Sequence, residues 1–235
     1  MSDDVKAWYQ SRTVWGALIA IAASLANAAG VEVTSGDGAE LADLIVAATG
    51  TAGGLVALQT LWVGPWLSRV CGWTPRQAAQ GLFALNVTML LTFLSWGVLV
   101  PRLTARGWTA QALIARGAPL SLIVIVAAIA AGPHSTAWVW ALFCVTSTVV
   151  ALAQPAVGQD FPSHLAGRAL SAYNLVIFLG VFALQWMLGV VIDRLEASGW
   201  TTQAAFQGAF ALLAAGCIGA YAWFLGFDDS PANDG

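Results

Sequence analysis

QPAVGQDFPSHLAGRALSAYNLVIFLGVFALQWMLGVVID, residues 154–193, decides what kind of protein this is. Residues 169–192 carry no formal charge. A helix of that length rises roughly 36 Å at about 1.5 Å per residue, enough to cross ~30 Å of hydrocarbon with some tilt. The stretch therefore reads as a membrane helix, entered through a short charged loop holding Asp160, His164 and Arg168. Two amides, Asn174 and Gln185, interrupt the apolar run at a separation of a little over three turns, so they share nearly one face. In hydrocarbon each must find a partner on a neighbouring helix, in water or on a solute.

Composition extends this reading to the whole chain. With 59% hydrophobic residues, 9% charged and 12 Trp among 235 residues, the apolar surface exceeds what one water-soluble core can hide, and the lipid bilayer becomes the solvent. The net charge of −3 is spread over few groups and marks no nucleic-acid surface. Cys71, Cys144 and Cys217 are widely spaced and read as unpaired packing residues. Apolar runs recur at 14–31, 41–67, 80–101, 113–131, 137–154, 169–192 and 204–226. These predict an all-α, polytopic membrane protein of about seven transmembrane helices, with a polar turn at 32–40, a helix break at Gly132-Pro133-His134 and an acidic tail at 228–235. Ala26-Asn27-Ala28 has the form of a secretory cleavage site, but Asp3, Asp4 and the further membrane segments favour an uncleaved first helix.

Chemistry-bearing groups are sparse. The sequence contains no nucleophile and base pair, no metal-ligand cluster and no glycine-rich phosphate loop, so neither enzymatic activity nor a cofactor is expected. No ionisable side chain sits in the centre of a span, where proton or ion coupling usually places one. What remains is an uncharged polar set: Gln59 and Trp62 on the second run, Asn86 on the third, Asn174 and Gln185 on the sixth. These residues either line a path for a small solute or hydrogen-bond adjacent helices. Trp66, Trp73, Trp138 and Trp200 lie near span ends and read as interfacial anchors. Ala204, Gly208, Ala211, Ala215 and Gly219 form a row of small residues suited to close helix approach.

Residues Pro155, Phe161-Pro162, Gly167-Arg168, Ser171, Asn174, Gln185, Gly189 and Asp193 together resemble the tenth-to-eleventh helix region of bacterial transporters of the major facilitator superfamily. LQTLWVGPWLSRVCGW from Leu58 is similar to the end of their seventh helix, and the likeness runs to Phe227. The loop at 97–107 resembles the superfamily's signature loop through Gly97, Arg102, Arg106 and Gly107, with Pro101 where that signature has an Asp. The resemblance implies a half bundle of six helices from about residue 41, a faint three-helix internal symmetry, alternating-access transport of a small solute, and a cytoplasmic face at Arg102 and Arg106. It also implies a second wall, from a homodimer or a complementary half.

Residues 1–57, WYQSRTVWGALIAIAASLANAAGVEV with the acidic loop and ELADLIVAATGTAGGLVAL, instead resemble two-helix phage holins, which implies a pore-forming or lysis role. The two resemblances ask for opposite insertions of the helix that begins at residue 41. Such disagreement points to a truncated or fused transporter gene joined near Ala57 and Leu58, in the inner membrane. Lys and Arg are nearly balanced between the two sides of an alternating seven-helix path, so they set no orientation.

Overall fold

The structure, a computed structural model, describes residues 48–155 and 163–228. The first apolar run, most of the holin-like hairpin, Asp160 and the acidic tail beyond Asp228 lie outside them. Six helical rods follow one another. Helix α1 spans residues 48–70, with wide π-helical turns at Ala48–Gly53, Leu58–Trp62 and Trp66–Val70 joined by short α segments. Then come α2 (Pro75–Thr104), α3 (Ala110–Ala131), α4 (Ala137–Ser147, continued as a 3-10 turn over Thr148–Leu152), α5 (Ser163–Ala197) and α6 (Thr202–Asp228). Among the described residues, five helices are long and apolar enough to cross a membrane: Pro75–Thr104, Ala112–His134, Ala137–Pro155, Tyr173–Ala197 and Thr202–Ala222. The described residues form helices and no strands, and the chain is a multi-pass membrane protein. The proposed junction at residues 57 and 58 falls inside the continuous rod α1, where both residues are buried.

Lipid as solvent explains the surface. Phe83 is 72% exposed, Trp138 83% and Phe182 70%, an arrangement that water would penalise heavily and hydrocarbon does not. Helix α2 touches the bundle along one stripe through Ala78, Gly81, Leu85, Thr92 and Trp96 and leaves most of its circumference open. Helix α1 is the central rod, packed against α2, α5 and α6, while α3 packs on both α4 and α6.

At the heart of the bundle Trp66 and Trp140 meet edge-on at 5.5 Å between centroids, and Trp66 stacks on Phe210 at 4.8 Å. Trp66 is fully buried, which corrects its reading as an interfacial anchor. Its nearness to a span end is overridden because α1 runs through the middle of the bundle and ends under the α3–α4 turn. There Gly132, at φ +54°, lets the chain reverse. Trp138 and Trp200, half to largely exposed, keep positions compatible with an anchor.

Three other expectations change. His164 and Arg168 belong to the first turns of α5 rather than to a loop, because after Pro162 nothing in Ser-His-Leu-Ala stops a helix from starting early. Helix α2 also runs through Pro101 to Thr104. The proline sits in the last turn, where it costs only the bond to the Gly97 carbonyl. Gly97 and Arg102 are therefore helical, and only residues 105–109 connect α2 to α3. The row of small residues splits as well. A Cβ on Gly208 would touch Leu195 and Trp200, whereas Ala211, Ala215 and Gly219 face outward.

One tripeptide governs three helix junctions. Gly72-Trp73-Thr74, Gly107-Trp108-Thr109 and Gly199-Trp200-Thr201 each follow the end of a helix. The glycines adopt φ of +69°, +85° and +90°, the left-handed geometry that only glycine takes without strain. Each Trp N–H then reaches back to a leucine carbonyl, of Leu67, Leu103 and Leu195 respectively. Each Thr hydroxyl caps the next helix, accepting from the backbone N–H of Gln77, Ala112 and Ala204.

For two of these turns the likeness is longer. Residues 97–112 and 189–204 align without gaps and share Gly, Val, Arg, Leu, Ala, Gly, Trp, Thr, Gln and Ala in register. The two copies lie at opposite ends of the bundle. Arg69 at the end of α1 pairs with Glu196 in one copy, and α2 starts at that end and carries the other copy away from it.

Candidate functional site

Helix α1 carries Gln59, Thr60 and Trp62 in the wide turn Leu58–Trp62, a feature that often marks functional positions in helices. Ser147 on α4 donates its hydroxyl to Gln59 Oε1 at 2.6 Å and lies 2.9 Å from the Cys144 carbonyl, so its proton is shared. One residue on, Thr60 receives the amide of Gln185 on α5 at 2.9 Å and donates to the Val56 carbonyl at 2.6 Å. Gln185 Nε2 also approaches the Ala57 carbonyl at 3.5 Å. Trp62 closes the belt, its indole N–H donating to the Gln185 backbone carbonyl at 3.2 Å. Its ring meets Phe206 edge-on and lies against Gly189, where a Cβ would come within 3.5 Å. Consecutive residues of α1 thus point to different helices, and two amides clamp the rod from both sides.

The belt lies at half depth. Gln185 is the central residue of the candidate span Tyr173–Ala197, Ser147 is next to the middle of Ala137–Pro155, and Gln59 is bonded to Ser147. After the interhelical bonds are made, the amide nitrogen of Gln59 and the amide oxygen of Gln185 make no hydrogen bond to another described residue, and neither is fully buried. Each can still bond a polar molecule at the bundle surface.

Of the five path residues expected from sequence, Gln59, Trp62 and Gln185 come together. Asn86 is exposed on α2 and donates to the Leu82 carbonyl of its own helix at 2.7 Å. Asn174 is half-buried on α5, about three turns from Gln185, with no hydrogen bond to another described residue. Thr60 and Ser147 were missed, because hydroxyl residues are common in membrane helices and usually bond the preceding turn, as Thr88, Thr92 and Ser95 do here. In the signature-like segment Gly97, Arg102 and Arg106 are exposed on or beside α2, with Gly107 making the turn. Among the described residues no three His, Cys, Asp or Glu side chains gather to hold a metal. Comparison with protein-family models, curated proteins and solved structures gives no match.

Proposed function

We propose that the chain forms one half of a translocation unit for a small solute in the cell inner membrane, working by alternating access when paired with a second half. The observation that supports this is the half-depth belt of Gln59, Thr60, Trp62, Ser147 and Gln185, which keeps one amide nitrogen and one amide oxygen available after clamping α1. Secondary transporters hold their solute near the bilayer midplane, between two repeats. A single bundle supplies one wall, so a second copy or a complementary half completes the path.

Reconstitution into liposomes at graded protein-to-lipid ratios, loaded with labelled sugars, amino acids and organic cations, tests this. Saturable uptake is expected only where copies share a vesicle. Saturable uptake at one copy per vesicle overturns the pairing requirement. Abrupt, unsaturable release of an entrapped dye replaces the transporter reading with a holin-like pore.

A further inference from the structure

The repeated hairpin provides an internal comparison between two membrane faces. In the copy beside Arg69, Asp193 and Glu196 flank Arg194, and Glu196 takes the Arg69 guanidinium at 2.8 Å. In the other copy the matching positions are Pro101 and Thr104, and residues 44–159 contain no Asp or Glu at all. Arg102, Arg106 and Arg116 are exposed there, and none of them forms an ion pair with another described residue.

The three cations lie on the turn and on the two helices it joins. Gly107 reverses the chain, and the backbone N–H of Trp108 bonds the Leu103 carbonyl at 3.1 Å. The Arg116 guanidinium lies 4.5 Å from the centre of that indole. Arg102 donates to the Val98 carbonyl at 3.3 Å, and Arg106 projects from the turn. The N-terminus of α3, the positive end of its dipole, opens at the same place. An indole at a span end settles at headgroup level, so the Arg116 guanidinium against it stands at the depth of lipid phosphates.

We infer that the α2–α3 turn is a docking site for the phosphate of an anionic membrane lipid, which supplies the counter-charges that the opposite copy carries in its own side chains. Guanidinium matches phosphate in a two-pronged, charge-assisted bond. The inference rests on the chain residing in a bilayer, not on any transport activity.

Native mass spectrometry of the detergent-purified full chain, delipidated and titrated with phosphatidylglycerol or phosphatidylcholine, tests it. The unaltered chain should retain phosphatidylglycerol better by roughly fivefold for each guanidinium engaged, the contribution of one basic group near an anionic surface. The Arg102→Gln/Arg106→Gln/Arg116→Gln variant should lose that preference. So should Pro101→Asp/Thr104→Glu, which keeps every arginine and installs the other copy's acids. Arg76→Gln/Arg194→Gln, at the opposite end, should keep it. Equal retention of both lipids by the unaltered chain, an unchanged preference in either α2–α3 variant, or displacement of phosphatidylglycerol by equimolar inorganic phosphate would overturn the assignment.

Discussion

The indole nitrogen of Trp66 donates to the hydroxyl of Ser135 at 2.7 Å, and this one oxygen also receives Trp140 Nε1 at 3.4 Å while donating to the Gly132 carbonyl at 2.8 Å. A serine hydroxyl has one proton and two lone pairs, so all its capacity is used. It joins α1, α4 and the α3–α4 turn at a fully buried point. Ser135→Ala strands two indole N–H groups and should cost about 2 kcal/mol, read as a lower midpoint in thermal or SDS unfolding of the purified chain. In a Trp66→Phe background the same change should cost clearly less. Equal costs in both backgrounds would show that the hydroxyl is not the shared acceptor.

The amide clamp should be weak in stability terms. Gln185→Leu removes its bond to Thr60, and interhelical hydrogen bonds in bilayers contribute on the order of 0.6 kcal/mol. A small shift in SDS unfolding combined with loss of uptake in paired reconstitutions is the outcome expected of a solute-contacting amide. A loss of several kcal/mol would make Gln185 chiefly a structural strut.

Close approach of α1 to α6 depends on Gly54, because a Cβ there would lie 2.5 Å from Cys217 Sγ. Gly54→Ala should destabilise by about 1–3 kcal/mol through overpacking. Cys217→Ala should restore most of that loss in the double variant, since the two sites share one contact. Additive losses would place the strain elsewhere.

The two copies of the repeated hairpin should face opposite sides of the membrane. In a background with Cys71, Cys144 and Cys217 replaced by alanine, Ala105→Cys and Ser198→Cys are expected to react with an impermeant maleimide from opposite faces of sealed vesicles. Labelling of both from the same face would contradict the alternating path of α2 to α5.

Much of this architecture was legible because hydropathy is a local property. The spans at 113–131 and 137–154, and the break at Gly132-Pro133-His134, agree closely with α3, α4 and the turn between them. Trp66 was misjudged because a position near a span end says nothing about how centrally the rod lies in the bundle. The Gly-Trp-Thr turns were present in the sequence as well. In a chain with 24 Gly and 12 Trp, however, a tripeptide becomes a signal only when three helices are seen to end on it.

The amino-acid sequence alone determined the solvent and the helical class. Runs of this length and polarity belong in hydrocarbon, and there a backbone outside a closed barrel must bond to itself as a helix. Only the tertiary structure decided which polar groups meet. Gln59 and Gln185 lie on different helices far apart in sequence, and whether such an amide faces lipid, a neighbour or a path depends on how rods rotate and pack, which no local pattern of residues encodes.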